Sequence, residues 1–276
     1  MQKTLKKRLP IIYSWIHIIY MSTGIYKQKI INIEATNKAV KASKHNIQLD
    51  YMSKVFNNSF MVHNGPFKGM QYIDNSSGSA LLPKILGSYE EPIQDWILEV
   101  IRKNYETIID IGCAEGYYAV GFGMRMPDTE IIAYDIDEEA KANLYKLMKL
   151  NRLDNIKIRS ECTFGALNSL CKKNTLVFCD IEGFEKTLLD PNRVPNLKYV
   201  DLIVESHDCF YPNLTELLIN RFYKTHTIKM VLDYPLRMNK YHTPNTCSIH
   251  DLHEVQNEDR PPAMRFLYMK SVDEKL

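Results

Sequence analysis

Four side chains that can bind a proton or a cation follow the ends of two apolar segments. Asp180 and Glu182 come directly after the run 175–179, and Glu205 and His207 close the run 199–204. Carboxylates bind hydroxyl groups and hard cations, and an imidazole with a pKa of about 6.5 accepts a proton at neutral pH. The pattern predicts a catalytic site with His207 as general base. The competing interpretation is a site for a divalent cation such as magnesium.

A structural role for two of these residues stays open as well. Glu182 would then cap the following helix, and His207 would hydrogen-bond a loop. For His207 we rank proton acceptance or substrate contact first, a structural role second and metal binding third.

The elements that position these groups are short buried strands. The residues 108–111 are β-branched apart from one acid, Asp110, which is typical of a parallel strand covered on both faces. Gly112 and Gly116 then bracket a tight turn, and a helix is predicted to start near Tyr117. Free backbone N–H groups at that helix start would face a polar ligand.

The second strand of this unit ends at Asp135, 25 residues after Asp110. A carboxylate at this place in doubly wound folds accepts hydrogen bonds from both hydroxyls of a ribose. The ligand is therefore predicted to contain a nucleoside. The three-glycine fingerprint of dinucleotide cofactors is missing, so NAD is disfavoured.

The spacing acid-x-Gly-x-Ala-x-Gly resembles motif I of class I S-adenosylmethionine (SAM) methyltransferases, with Ala114 in place of the usual middle glycine. The segment Asp-Ile-Glu-Gly-Phe-Glu, which begins at Asp180, resembles the D-x-E-G-x-E segment of FkbM-type methyltransferases. This resemblance covers roughly residues 80–235 and implies SAM as cofactor and O-methylation of sugars or similar hydroxylated compounds. The Asp/Asn-Pro-Pro-Tyr motif of amino methyltransferases is absent, which also favours a hydroxyl acceptor.

The resemblance assigns residues to each part of the cofactor. The turn would hold the methionine portion, Asp135 the ribose, and the pair after the third strand the adenine. The sequence Gly-x-Tyr-Glu upstream of motif I would lie over the methionine end, although helix initiation explains it equally well. The predicted cofactor-binding residues are Tyr89, Glu90, Asp110, Gly112, Cys113, Ala114, Glu115, Gly116, Tyr117, Asp135, Ile136, Glu161, Cys162 and Asp180. The predicted catalytic residues, which face the acceptor, are Asp180, Glu182, Glu205 and His207.

The predicted fold class is α/β, a Rossmann-like, doubly wound, seven-stranded, mostly parallel sheet with an N-terminal helical extension. A helix over 214–222 and strands over 226–232 and 263–269 would complete it. The domains are predicted as a basic, mainly helical extension, residues 1–75, and a methyltransferase domain, residues 76–276. The 276 residues with 45% hydrophobic content are enough for a large core. Six cysteines without a C-x-x-C pair fit reduced thiols in the cytoplasm.

The extension differs in charge from the rest of the chain. Residues 1–72 contain eleven lysines and arginines and two acids, while the other 204 residues carry a net charge of −7. The apolar segment 9–21 is shorter than the roughly 18 residues that a membrane span needs. We expect a helix that packs on the catalytic domain or on a second subunit, with contact to an anionic membrane surface as the second interpretation. Nucleic-acid binding ranks third.

The sequence thus predicts a cytoplasmic SAM-dependent methyltransferase that acts on a hydroxyl of a sugar or another polyhydroxylated metabolite. The alternatives are an RNA 2′-O-methyltransferase and a non-catalytic SAM-binding partner subunit. In the loop 233–262, Arg260 would either recognise a substrate anion or form a surface salt bridge.

Overall fold

The computed structural model describes residues 43, 45–77, 79–234, 240–261 and 264–272. The chain divides into two compact units, residues 1–50 and 51–276. In the first unit, residues 45–50 are helical. The apolar segment 9–21 and most of the basic arm lie outside the described residues.

The second unit begins earlier than the predicted methyltransferase domain. Met52, Phe56, Val62, Phe67 and Tyr72 are all buried in its hydrophobic core. The residues between 51 and 75, which the sequence analysis assigned to the extension, therefore supply core side chains to this unit.

Helices and strands alternate along most of the second unit. The strands are β1 (Thr107–Ile111), β2 (Glu130–Tyr134), β3 (Ile156–Arg159), β4 (Thr175–Cys179), β5 (Asp201–Ser206), β6 (His226–Asp233) and β7 (Met264–Ser271). The α-helices are α1 (Leu81–Leu86), α2 (Gln94–Lys103), α3 (Tyr117–Arg125), α4 (Glu138–Leu150), α5 (Phe164–Leu170), α6 (Glu185–Leu188), α7 (Leu214–Phe222) and α8 (Ile249–Gln256). Two 3₁₀ turns cover Glu91–Ile93 and Pro195–Tyr199.

The seven strands form one sheet in the order β3-β2-β1-β4-β5-β7-β6. The pairs among β1 to β5 are parallel, whereas β7 lies antiparallel between β5 and β6. This arrangement confirms the predicted fold class, and the strand order reverses between β1 and β4. Ligands of such sheets bind outside the carboxyl ends of the strands at this switch point.

Both faces of the sheet are covered. Ile108 belongs to the apolar cluster on one face and its neighbour Ile109 to the cluster on the other, as the two-residue repeat of a strand requires. The first cluster includes Phe122 of α3, and the second includes Leu218 of α7. Residues buried on both sides hold the strand ends in fixed positions, so the loops at the carboxyl edge start from a rigid base. Within the part of the chain that the structure describes, no helix is both long and apolar enough to cross a membrane.

Candidate active site

A cavity of about 860 Å³ opens at the carboxyl ends of the parallel strands β1 to β5. The loops after these strands line it, together with the segment before α2 and the loop between α8 and β7. Twelve of the fourteen predicted cofactor-binding residues and all four predicted catalytic residues line this cavity. The two that do not are Glu115 and Gly116.

The turn after β1 lies against the end of β4. Gly112 has a φ of 83°, and a Cβ built there would come within 1.7 Å of the carbonyl oxygen of Asp180. At Gly116, with a φ of 96°, a Cβ would come within 2.3 Å of Leu144 Cδ1. Glycine is thus required at both positions, at the first because a backbone carbonyl passes close by.

Asp135 joins two turns at the edge of the cavity. Its Oδ2 accepts a hydrogen bond from the Ala114 N–H and its Oδ1 accepts one from the Asp137 N–H, both at 2.8 Å. Each oxygen keeps a second lone pair for a ligand hydroxyl. The protein alone therefore holds the carboxylate in place and leaves it acceptor capacity for a ligand.

Asp110 is a buried acid with an unused acceptor. Its Oδ2 has no hydrogen-bond partner within the described residues, and it lines the cavity. Burial first, and then repulsion from Asp135, raise the pKa of Asp110 to about 8. A buried acceptor without a partner costs free energy, so this oxygen is suited to a charged donor from a ligand, such as an ammonium group.

Glu115 points away from the cavity and ties the turn to the segment before α1. Its carboxylate accepts hydrogen bonds from Tyr72 Oη at 2.6 Å, Ser76 Oγ at 2.9 Å, the Ser77 N–H at 2.9 Å and Lys84 Nζ at 2.5 Å. The lysine and the glutamate are both almost fully buried. Glu115 thus stabilises the turn from behind, while Ser77, Ser79 and Lys84, which the sequence analysis did not select, line the cavity.

His207, which follows β5, is buried and lines the cavity. Its Nδ1 lies 2.8 Å from Glu185 Oε1, whereas its Nε2 lies 3.5 Å from Asp180 Oδ1 and 3.6 Å from Glu182 Oε2. Burial alone would lower the pKa of His207, but the hydrogen bond with Glu185 and the charges of Glu205, Glu185 and Glu182 outweigh it and raise the pKa. The sequence predicted a histidine with the ordinary pKa, whereas its surroundings make His207 more basic.

Arg260 forms ion pairs with four buried carboxylates near His207. It reaches Glu205 at 2.5 Å, Glu90 at 2.6 Å, Glu258 at 2.8 Å and Asp233 at 3.2 Å. Only 9% of its side chain is exposed. It is therefore neither a surface ion pair nor a free receptor for a substrate anion, the two fates that the sequence left open.

The neighbouring acids are strongly perturbed. Burial raises the pKa of Asp180 to about 8, with repulsion from Glu90 and Glu182 added to it. Burial and then Asp180 also raise the pKa of Glu205, against the lowering effect of Arg260. Groups with such shifts, gathered in a cleft, are typical of active sites.

Two sets of residues bring potential metal-binding atoms within 4.8 Å of one another, namely Asp180, Glu185 and His207, and Glu90, Asp180 and Glu205. In the first set Glu185 is bonded to the imidazole, and in the second Arg260 bridges two members. Among the described residues, protein contacts thus already use some of the atoms that a metal ion would need, while Glu185 Oε2 has no hydrogen-bond partner.

Several residues that line the cavity have strained backbone conformations. Glu90, Ala114, Glu182 and Asp259 have φ values between 48° and 53°, and all four line the cavity. Elsewhere in the described chain the non-glycine residues with positive φ are Asn57, Asn58, Asn104, Arg152, Asn174 and Asn213. Asparagine tolerates this conformation well, whereas glutamate and alanine do so at a cost. Strain of this kind is retained where a site needs a particular geometry.

Substitution of Ala114 by glycine tests this strain. We expect Ala114→Gly to raise the free energy of unfolding by about 0.5 to 1 kcal/mol, because relief of a left-handed alanine exceeds the entropy that glycine adds to the unfolded chain. Ala119, buried inside α3, is the matched control, and Ala119→Gly should lower stability by about 1 kcal/mol. Denaturant unfolding measures both. A loss of stability in Ala114→Gly would contradict the assigned strain.

Two phenylalanines flank the cavity mouth. Phe184 and Phe210 are 56% and 55% exposed, and both line the cavity. The ring of Phe210 stacks on His207 with 5.8 Å between centroids and 20° between planes. Exposed aromatic faces beside carboxylates provide both apolar and hydrogen-bonding contacts for a hydroxylated ring.

The sequence matches no protein-family model, and a search of curated proteins finds no match. Several solved structures with a similar fold are named as methyltransferases. They include the O-methyltransferase TomG from Streptomyces achromogenes in complex with SAM (10% identity, 63% of this chain and 77% of that chain, TM-score 0.43). An O-methyltransferase from Bacillus cereus in complex with SAH has 12% identity over 63% and 78% of the chains, with a TM-score of 0.41. An rRNA methylase from Streptococcus thermophilus has 12% identity over 65% and 96%, with a TM-score of 0.45.

Proposed function

We propose that this chain is a SAM-dependent methyltransferase of FkbM-like type that methylates a hydroxyl group of a sugar or another polyhydroxylated metabolite. The observation that carries the proposal is the arrangement of the cavity. One group of its lining residues has a glycine turn, a pre-positioned acid and a buried acceptor without a partner among the described residues, and a second group has a histidine among carboxylates.

The residues of the first group fit SAM. Asp110 Oδ2 would accept from the methionine ammonium group, Asp135 would bind the ribose hydroxyls, and Ile136, Glu161 and Cys162 would surround the adenine. Ile136 is 81% exposed, and an apolar side chain held outside the core gives an aromatic base a surface to cover. When bound, SAM supplies a methyl group on a positively charged sulfur.

In the second group, His207 would accept the proton of the acceptor hydroxyl through Nε2 as the hydroxyl oxygen receives the methyl group that bound SAM would supply. Asp180 and Glu182 would orient the hydroxyl, because alignment of the reacting atoms is the main requirement of an in-line displacement. Glu205, which is paired with Arg260, would line the cavity next to Asp180 and Glu182.

The charge of the cavity favours a neutral acceptor. Its lining includes ten acids but only two residues with a permanent positive charge, Lys84 and Arg260. Both cations are bonded to buried glutamates. A phosphate would be repelled here, which counts against RNA as the acceptor. Phe184 and Phe210 support a sugar, since a ring can stack on them while its hydroxyls reach Glu182.

Calorimetric titration with S-adenosylhomocysteine (SAH) tests the cofactor assignment. We expect binding in the micromolar range and a loss of about 10- to 100-fold in Asp135→Ala, because two hydrogen bonds to a charged acceptor are removed. The matched control is Asp137→Asn, an acid two residues away that caps α4. Asparagine caps equally well, so this variant should bind SAH like the wild type. Wild-type affinity in Asp135→Ala, or no binding by the unaltered protein, would refute the assignment.

The affinity for SAH should also depend on pH. With a pKa of about 8, Asp110 carries a proton at lower pH and must release it to pair with the ammonium group. Affinity should therefore rise by about tenfold per pH unit from pH 6 to pH 8 and then level off. Asp135 and Glu90 repel the charged form, and Cys113 and Cys179 also lie near Asp110. Titrations at pH 6, 7 and 8 measure the slope, which should disappear in Asp110→Asn; a flat wild-type profile would contradict this role.

A further inference from the structure

We propose that Glu185 is the positioning residue of this site, because one buried carboxylate fixes both the His207 ring and the turn that carries Asp180 and Glu182. This inference deepens the proposed function and rests on it for the role of His207. No role was assigned to Glu185 from the sequence.

The first contact of Glu185 is with the imidazole. Glu185 is fully buried, and its Oε1 lies 2.8 Å from His207 Nδ1. A carboxylate accepts and cannot donate, so Nδ1 carries the hydrogen, and in the neutral imidazole Nε2 keeps its lone pair. Nε2 is also the nitrogen directed toward Asp180 and Glu182 in the cavity. The same arrangement of carboxylate, imidazole and reacting hydroxyl recurs in unrelated hydrolases, where the acid selects the tautomer of the base.

The second contact of Glu185 is with the backbone. Oε1 also accepts a hydrogen bond of 3.0 Å from the Ile181 N–H. Ile181 lies between Asp180 and Glu182, in a turn where Glu182 and Gly183 both have positive φ. The strained turn is thus fixed by the same oxygen that holds the imidazole. The second oxygen of Glu185 has no hydrogen-bond partner among the described residues, so both positioning contacts depend on Oε1.

This double contact distinguishes Glu185 from the other acids near His207. Glu182 is the useful comparison, because its side chain is 73% exposed and lies 3.6 Å from Nε2. Asp180 and Glu205 also face the ring. These three act on the imidazole by charge alone, whereas Glu185 acts on its tautomer and orientation as well.

Nitrogen-15 NMR of the histidine side chains in the full chain tests the inference without an acceptor. His207→Ala identifies the His207 signals. In the wild type we expect the Nδ1–H tautomer and a pKa above the ordinary value of 6.5. Glu185→Gln should keep the tautomer, because the amide oxygen still accepts, but the pKa should fall by more than in Glu182→Gln. Glu185→Met should lose the Nδ1–H preference, which Glu182→Gln should keep.

Two results would overturn the inference. One is an Nε2–H tautomer in the wild type, and the other is a pKa change in Glu185→Gln no larger than that in Glu182→Gln. The second comparison stays decisive if Glu185→Met does not fold. SAH titration of the same samples separates this inference from the proposed function, since SAH binding with an unaffected His207 refutes only the positioning role, and absent SAH binding in the wild type refutes the proposed function.

Discussion

Arg260→Met should lower the free energy of unfolding by about 3 to 5 kcal/mol, the cost of removing one partner from a buried ion pair. The guanidinium contacts Glu90, Glu205, Glu258 and Asp233, and methionine would leave these carboxylates without their shared cation. At about 2 to 4 °C per kcal/mol for a domain of this size, the melting temperature should fall by roughly 10 °C. Thermal unfolding followed by circular dichroism measures the change.

The control for this prediction is a second arginine, which lies in strand β7. Arg265 pairs with Asp208 at 3.1 Å and is 36% exposed. Because exposed ion pairs contribute little, Arg265→Met should cost about 1 kcal/mol or less. Equal losses of unfolding free energy in the two variants would show that the buried ion pairs of Arg260 contribute no more to stability than an exposed pair.

His207→Ala should reduce methyl transfer by about 100-fold or more, the usual contribution of a positioned acid or base. The affinity for SAH should stay within about twofold of the wild type, since the proposed cofactor contacts belong to Asp110 and Asp135 and removal of the base spares them. A panel of neutral sugars is first screened for the acceptor that gives the highest wild-type rate. Turnover is then measured with this sugar as the rate at which SAH is formed from SAM.

His253→Ala is the matched control for this experiment. His253 also lies beside a glutamate, Glu254, at 3.7 Å, but on the surface of α8. Its replacement should leave turnover unchanged. Wild-type turnover in His207→Ala would remove this residue from the chemistry, while a parallel loss of SAH affinity would show a structural role instead.

The sequence predicted the sheet well, and it also predicted which residues meet in the turn after β1 and at the end of β2, because the signals there are local. Strand β1, the glycine turn and Asp135 lie within 29 residues, and the short β-branched runs and glycine positions follow from backbone sterics. The same local pattern could not show which way Glu115 faces. Its direction depends on Lys84 and Tyr72, which approach from a segment outside the motif.

The contacts of Arg260 and His207 were harder to predict because they join distant parts of the chain. Arg260 reaches Glu90 across 170 positions, and Glu185 reaches His207 across 22. Whether an arginine in a polar loop is exposed or buried is decided by the tertiary structure, not by its neighbours in sequence. The exposed Phe184 and Phe210 likewise look like ordinary core residues until the fold places them at the cavity mouth.

The contact between Gly112 and the Asp180 carbonyl limits how this protein can be modified. Since no side chain fits between the two backbones, any change in the path of the loop after β4 also displaces the turn after β1. A loop transplanted at residues 180–184 to alter acceptor choice should therefore disturb affinity for the methyl donor, unless the donor turn is exchanged together with it. Changes at the tips of Phe184 and Phe210, which leave both backbones in place, offer the more independent way to alter acceptor preference.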